Sequence, residues 1–269
     1  MPAIDLAHLK TQAALLSDKF GEPDVFARGL NELLDYYTNR TKRLAQVVQR
    51  FSLPTFHTPK PVLRQIEREL QPLADARPVE AIALTNALWK AGSFESRLLA
   101  ARLLGMIQPA QALTAFSRLP DWLAVTMDKD IRHALLTDAM TRLRRENPEA
   151  FFILLEDWLK SPRPTYQVWG LQALIPLLHE PGFENLPAVF RIIRPAIEMA
   201  GPSTQTELQT CLAALAQVSA TETIVFLREV LRSEPGPMML RILRRILSAL
   251  PEELQSGLRE ALREAVSSP

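Results

Sequence analysis

The sequence predicts an all-α protein, an α-α superhelix in which antiparallel helix pairs stack as HEAT-like repeats. Strand signals are nearly absent, because there is no sustained apolar/polar alternation and no Asn-Gly or Asp-Gly hairpin. Helical spacing dominates instead, and the same apolar stripe of a 3.6-residue period recurs in successive segments. Two clear stripes are Leu208, Leu212, Leu215, Val218 and then Leu240, Leu243, Leu247, Leu250.

Proline marks the predicted helix boundaries. The chain has 21 Pro and only 9 Gly, and many prolines come just before or at the start of an apolar-periodic run. Proline suits the first turn of a helix and blocks continuation of the preceding one. The prolines in question are Pro109, Pro120, Pro148, Pro187, Pro202, Pro235 and Pro251. We predict helices over 4–18, 23–50 (broken near Asn39), 59–73, 78–90, 94–107, 109–117, 129–146, 148–160, 164–179, 185–200, 203–218, 220–233, 237–249 and 251–266.

Short loops between these helices predict the domain organisation. Helices joined by loops of about two to five residues fold back as antiparallel neighbours. The pairs recur at roughly 30–40 residues, the range of two-helix solenoid repeats. We therefore predict one HEAT-like solenoid domain over residues 1–269. A four-helix bundle with additions is the structural alternative, and the number of short helices disfavours it.

The composition excludes several classes of protein. With 47% hydrophobic and 23% charged residues in 269, the chain is not a disordered one. No apolar run approaches the roughly 20 residues that span a bilayer, and we read no signal peptide, so we predict a cytoplasmic protein without a membrane partner. The single Cys211 lies in an apolar helical stretch, and we expect a buried thiol rather than a reactive one.

No metal or cofactor signature is present in the sequence. There is no phosphate-binding glycine loop, no paired His/Cys metal spacing and no Gly-x-Ser-x-Gly elbow. The four histidines, at positions 8, 57, 133 and 179, form no His-Glu-x-x-His pattern. We predict neither a metal site nor a cofactor.

Charge is distributed unevenly along the chain. The net charge of +1 gives no general attraction to nucleic acid, but residues 36–66 and 158–179 contain no Asp or Glu. The 31 basic residues comprise 24 arginines and seven lysines, and the arginine fork suits phosphate. An arginine-rich genome explains the same bias equally well. The cations of the two acid-free stretches are Arg40, Lys42, Arg43, Arg50, Lys60, Arg64, Lys160 and Arg163.

Residues 88–105 carry the most specific motif, Leu-Trp-Lys-Ala-Gly-Ser-Phe-Glu-Ser-Arg-Leu-Leu-Ala-Ala-Arg-Leu-Leu-Gly. It resembles the Leu-Trp…Glu-x-Arg-x-Leu-Ala segment of the DNA alkylation repair family, the HEAT-like alkylpurine DNA glycosylases of the AlkC/AlkD type. The matching residues are Leu88, Trp89, Glu95, Arg97, Leu99 and Ala100. Read without the family, Glu95 caps its helix or pairs with an arginine, and Trp89 fills the groove between repeats.

The resemblance continues on both sides of this motif. Upstream, residues 58–66 are similar to the family's loop ending in Pro-x-x-x-Arg-x-Ile, although the family glycine before that loop is not obvious. Downstream, Asn147-Pro148-Glu149 and Trp158-Leu159 fall at family-like distances. The resemblance covers about residues 30–180 and leaves about 183–266 as additional repeats.

The resemblance implies a chemistry. Family members excise cationic N3- or N7-alkylated purines from duplex DNA, which they hold on a basic concave face largely through its backbone. A carboxylate stabilises the oxocarbenium charge, tryptophans face the deoxyribose and an arginine binds phosphate. Arg97, which belongs to the matching motif, is also among the candidate DNA-binding residues.

The sequence departs from the family in the catalytic set. The Trp-Asp-x-x-Asp helix of the family aligns with residues 129–133, where Lys129 replaces the tryptophan and His133 the second aspartate. The phosphate-binding arginine falls at or near Trp169. Asp130 and Trp169 are thus the candidate catalytic residues. Asp128 is expected as a second carboxylate nearby, and Trp122 and Trp169 are expected to offer aromatic surface. Asp128 and Asp130 are also explained as N-cap and first-turn charges of a helix.

Two functions from different classes remain open. The first is a DNA-binding protein of the alkylation repair type with duplex DNA as its partner, in which glycosylase activity is an open question. The second is a non-catalytic HEAT-like scaffold for another protein, which the near-zero net charge and the incomplete catalytic set favour.

Overall fold

The computed structural model describes residues 5–38, 53–232, 237–247, 255–256, 258–260 and 262–263. These ranges contain fifteen α-helices and no β-strand, which confirms the all-α prediction. Contacts divide the chain into two compact units, Met1–Asn147 and Pro148–Pro269. Within the described ranges, no helix is long and apolar enough to cross a membrane.

The first unit contains nine of these helices. They are α1 (Leu6–Ser17), α2 (Pro23–Tyr36), α3 (Lys60–Ala76), α4 (Pro78–Ala91), α5 (Phe94–Leu104), α6 (Pro109–Phe116), α7 (Leu119–Ala124), α8 (Lys129–Leu136) and α9 (Thr141–Glu146). Helices α1, α3, α5 and α8 contact one another in that order as one layer. Helices α2, α4 and α6 form a second layer against it. The two layers also contact each other through sequence neighbours, α1 with α2, α3 with α4 and α4 with α5, the pattern of stacked antiparallel pairs.

The second unit repeats this arrangement. Its helices are α10 (Pro148–Leu159), α11 (Pro164–Leu178), α12 (Leu186–Glu198), α13 (Gln205–Val218), α14 (Ala220–Arg232) and α15 (Pro237–Ile246). Helices α11, α13 and α15 form one layer, and α10, α12 and α14 the other. The predicted stripe at 208–218 is buried at its three leucines, whereas Val218 is 41% exposed at the end of its helix.

Proline and capping residues begin the helices, as the sequence predicts. Proline is at the first or second position of α2, α3, α4, α6 and α7 in the first unit and of α10, α11, α12 and α15 in the second. Pro202 instead lies in a turn before α13, and Pro235 and Pro251 fall outside the described residues. Asp5, Ser93 and Asp128 cap other helices by accepting backbone N–H groups.

The predicted helix at 129–146 is wrong, because the chain breaks between α8 and α9. A Cβ atom on Gly105 would lie 1.9 Å from the Asp138 carbonyl oxygen, so the backbone at 138 packs directly on that glycine. At the break, the Ala139 N–H donates to the Ala134 carbonyl at 3.0 Å instead of continuing the regular helix. The short helix α7 was also not predicted.

Candidate nucleic-acid interface

Three helices of the first unit, α3, α5 and α8, run parallel within their layer. At their carboxyl-terminal ends, Arg102 near the end of α5 donates to Asp138, just after α8, with 3.2 Å between Nε and Oδ2. At the other end, Glu95 in the first turn of α5 binds the loop that leads into α3. The amino-terminal ends of these helices therefore meet at one side of the unit. We call residues 53–60, 93–97 and 125–130 the amino-terminal edge.

Glu95 organises this edge. Its side chain is only 2% exposed, and it accepts the backbone N–H of Phe56 at 3.1 Å, that of Thr58 at 3.3 Å and the Thr55 hydroxyl at 2.9 Å. The sequence interpreted Glu95 as a helix cap or as the partner of an arginine, and both interpretations were wrong. Ser93 caps α5, and no described arginine pairs with Glu95. A buried carboxylate needs such donors, so Glu95 fixes the 53–59 loop against α5.

Two backbone positions with positive φ shape the same region. Gly92, with φ of 78°, ends α4 and lets the chain turn at once into the Ser93 cap of α5. His57, with φ of 52°, is the one non-glycine residue with positive φ in the described chain. It lies in the loop where the family glycine was missing from the sequence, and its N–H donates to Thr55 Oγ1 at 3.1 Å.

A tryptophan pair lies beside the edge. The indoles of Trp89 at the end of α4 and Trp122 on α7 stack with 4.5 Å between centroids and 9° between planes. Each is 8% exposed, so the aromatic surface expected at Trp122 is largely used in packing. The guanidinium of Arg97 lies over the Trp89 ring at 4.7 Å. The most specific motif in the sequence thus positions an arginine on a buried aromatic pair.

Two of the predicted DNA-binding cations lie where α3 begins. Lys60 and Arg64 are one turn apart and both exposed, which places them on the same face of the helix. Lys60 has no acidic partner among the described residues. Arg64 is close enough to Glu67 to act on that carboxyl, but the ion pair of Glu67 is with Arg102, at 2.5 Å. Both cations are therefore presented to solvent.

The two candidate aspartates have different structural roles at the start of α8. Asp128 is the N-cap, and its Oδ1 accepts the N–H groups of Asp130 at 2.9 Å and Ile131 at 3.1 Å. The Asp130 side chain is exposed and has no hydrogen-bond partner among the described residues. His133 is also exposed, one turn further along the same face. Of the two carboxylates, Asp128 caps α8 through hydrogen bonds, whereas Asp130 contributes a first-turn charge and its side chain makes no hydrogen bond to the described residues.

The second unit contains the other predicted residues. Trp169 is 4% exposed and packs against Trp158, with ring centroids 6.2 Å apart, and against Tyr166 at 5.0 Å. Its ring belongs to the core of the unit, so the aromatic surface expected there is absent. Lys160 pairs with Glu156 at 2.8 Å, whereas exposed Arg163 lies 5.6 Å from the Tyr166 ring centroid.

Four of the predicted cations, Arg40, Lys42, Arg43 and Arg50, lie outside the described residues. The predicted line of cations from 40 to 64 is therefore described only at Lys60 and Arg64. Among the residues that the structure describes, no group of three or more His, Cys, Asp or Glu could hold a metal ion.

Away from the edge, a charged cluster links the carboxyl-terminal half of α5 to α3 and to the segment after α8. Arg102 on α5 bridges Glu67 on α3 and Asp138 after α8. Burial raises the pKa of Glu67 above its ordinary value, and this outweighs the opposite effect of the Arg102 guanidinium. Nearby, Arg142 pairs with Asp75 and Glu146 and donates to the Met106 carbonyl at 2.7 Å. These arginines are neutralised by carboxylates within the unit.

The fold and this edge define a helical-repeat protein with exposed cations and a free carboxylate on parallel helices of one layer. Comparison with known families gives a more specific result, because the family model described as DNA alkylation repair enzyme matches residues 37–246. The chain belongs to this family. Neither the curated proteins nor the solved structures contain a match. The matched range includes most of the segment after 183 that the sequence motifs left as additional repeats.

Proposed function

We propose that this protein binds duplex DNA through its first unit, as a member of a family of DNA alkylation repair enzymes. The observation that carries the proposal is the pairing of the family match with exposed, acid-free cations at the start of α3. Lys60 and Arg64 extend from a helix whose amino-terminal end, with its partial positive charge, also favours a phosphate. Such contacts position the protein on the duplex backbone without reading its sequence.

The loop before α3 supports this proposal. Because Glu95 fixes residues 55–58, Lys60 begins α3 from a rigid support rather than from a free loop. A cation that is already positioned loses less conformational entropy when it binds phosphate. Arg163, exposed at the start of α11, is the candidate contact in the second unit.

The test is duplex binding by the variant K60Q/R64Q, which removes both charges. We expect clearly weaker binding, by about tenfold, and a salt dependence reduced by about two phosphate contacts. The matched control is R28Q, because Arg28 is an exposed arginine on α2 in the other layer. An equal loss of duplex affinity in K60Q/R64Q and R28Q would mean that binding depends on overall charge and not on the start of α3. Unchanged affinity in K60Q/R64Q would contradict the proposal.

We further propose hydrolysis of the N-glycosidic bond of a cationic N3- or N7-alkylpurine, with Asp130 as the carboxylate. Water adds to the sugar C1′, the C1′–N bond breaks, and the bonding electrons leave with the base, which departs neutral. The water proton passes to solvent through Asp130, whose charge also stabilises the oxocarbenium-like sugar. The support is the alignment of Asp130 with the family carboxylate helix and its exposed side chain, which has no hydrogen-bond partner among the described residues.

The catalytic proposal has its own assay. Duplex containing N7-methylguanine or N3-methyladenine is incubated with the protein and scored for free base. We expect release that D130N abolishes and that D128N leaves in place, once folding of the D128N variant is verified. Tight duplex binding without base release would support the DNA-binding proposal and contradict the proposed glycosylase activity. Trp169 has no part in this scheme, because its ring is buried.

One observation favours the scaffold alternative. In the second unit, α12 and α14 border a groove of about 460 Å³ beside the stacked rings of Phe190 and Phe226, whose centroids are 4.7 Å apart. Val225 in this groove is 53% exposed. A single stoichiometric protein partner, retained after nuclease treatment and lost in V225E, would support a scaffold function.

A further inference from the structure

Arg97 differs from the other partly buried arginines of the first unit. Arg102 and Arg142 each pair with two carboxylates, and Arg132 and Arg144 donate to backbone carbonyls of Thr126 and Thr137. The Arg97 side chain has no hydrogen-bond or ion-pair partner among the described residues, and only its backbone N–H donates, to the Ser93 carbonyl at 3.0 Å. Its Nε is buried without an acceptor.

The undescribed part of the unit contains no carboxylate for Arg97 either. Residues 1–4 and 39–52 contain neither Asp nor Glu. The nearest acid in the sequence, Glu95, directs its oxygens to the 55–58 loop. The positive charge of Arg97 is therefore not neutralised by any carboxylate of its unit, and burial lowers its pKa without an opposing acid.

The tryptophan pair holds the guanidinium in place. Its carbon lies 4.7 Å from the Trp89 ring centroid, and Trp89 is itself packed on Trp122. A planar guanidinium over an aromatic face keeps its outward N–H groups free to bind a planar or tetrahedral oxyanion. Partial desolvation strengthens any such contact relative to one with a fully hydrated lysine.

We propose that the Arg97 guanidinium on the Trp89–Trp122 pair is a binding site for a phosphate oxyanion, with a phosphodiester of duplex DNA as its ligand. This rests on the proposed function in its choice of DNA as the source of the phosphate. The site lies on the same amino-terminal edge as Lys60, since Glu95 joins the start of α5 to the loop before α3. One duplex backbone crossing parallel helices of this layer would meet both cations.

The experiment compares the wild-type protein with R97Q, R97K and R28Q in duplex binding across a salt series. We expect R97Q to bind about tenfold more weakly and to lose about one unit of salt slope. R97K keeps the charge but lacks the fork, and it should recover only part of the affinity. R28Q should match the wild type. Should R97Q fail to fold, wild-type affinity in R97K would overturn the proposal, as it would in a folded R97Q.

A second measurement separates failure of this site from failure of the proposed function. Inorganic phosphate is titrated at constant ionic strength while tryptophan emission is recorded, because Arg97 contacts Trp89 directly. The wild type could bind no duplex and yet show a phosphate-dependent change in tryptophan emission that R97Q abolishes. That result would support a phosphate site at Arg97 and contradict DNA as its ligand. Where neither duplex affinity nor emission depends on Arg97, its role is packing alone and the inference is wrong.

Discussion

The carboxylate of Glu95 accepts the backbone N–H of Phe56 with both of its oxygens, each at 3.1 Å, across 39 residues of chain. The two residues come from different helix pairs of the first unit. This contact makes the start of α5 the support for the loop that leads into α3.

The variant E95Q should therefore destabilise the protein although it keeps the size of the side chain. The amide provides one acceptor oxygen instead of two and places an N–H₂ group against backbone donors, at a cost of about 1–3 kcal/mol. Urea unfolding followed by circular dichroism measures this loss. The control is E149Q, because Glu149 is an exposed first-turn acid of α10. Its loss should lower the unfolding free energy by only about 0.3–1 kcal/mol. Equal stability of E95Q and wild type would contradict the role of Glu95.

Gly105 allows α5 to approach the break between α8 and α9. The variant G105A would place a Cβ atom 1.9 Å from the Asp138 carbonyl oxygen, a backbone atom that cannot move without shifting the break. We expect a loss of about 3 kcal/mol in the unfolding free energy. In G201A nothing lies within 4 Å of the new Cβ, and thermal unfolding should be close to that of the wild type. A G105A variant as stable as G201A would show that this contact is wrong.

Arg102 is expected to matter more for stability than its partner Glu67. At neutral pH, R102Q leaves the half-buried Glu67 without its cation, which should cost about 2 kcal/mol. E67Q should cost less, because burial already disfavours the ionised form of Glu67. The measurement is denaturant unfolding of the two single variants and the double variant at pH 7.

The same cluster predicts a pH dependence. Since the folded-state pKa of Glu67 is raised above 4.5, its contribution to stability is present below that value and is lost as pH rises through the folded-state pKa. The penalty of R102Q should therefore shrink under acidic conditions, where Glu67 is protonated. A penalty that is the same at pH 4 and pH 7 would mean that Glu67 does not titrate as the structure indicates.

Cys211 should be unreactive in the native protein. The thiol is fully buried, and burial raises its pKa from 9.0 to about 12. The contribution of this group to stability is present below pH 9.0 and is lost as pH rises towards about 12. A thiol reagent at pH 8 should label one cysteine per chain after denaturation and almost none before. Rapid labelling of the native protein would contradict its position in the core, which the sequence predicted correctly.

Local signals in the sequence were sufficient for most of the helices. Periodic leucines predict α13, and proline at the first helical position predicts α4, α6 and α10, because both effects act within a few residues. The break at 137–140 could not be predicted, since it depends on the packing of Asp138 against Gly105 in another helix. The helix α7 has only six residues, too few for a clear period.

The candidate site was predicted less completely. The motif at 88–105 contains Glu95, Arg97 and Trp89, but the contact of Arg97 with Trp89 joins two helices, and the partners of Glu95, such as Phe56, lie in a loop outside the motif. Trp169 was predicted as a surface residue, yet it is buried, because the spacing of apolar residues does not say which tryptophan faces a neighbouring helix. The capping role of Asp128 followed from its position alone.

Duplex DNA binding is the claim on which the account rests, and its salt dependence is the most direct measurement. Lys60, Arg64 and Arg97 would each release counterions on binding phosphate, so the logarithm of affinity should fall against the logarithm of salt with a slope of about −3 or steeper. Fluorescence anisotropy of a labelled duplex from about 50 mM salt upward provides this slope. Absence of binding at the lowest salt, or a slope near zero, would contradict the assignment of a DNA-binding function.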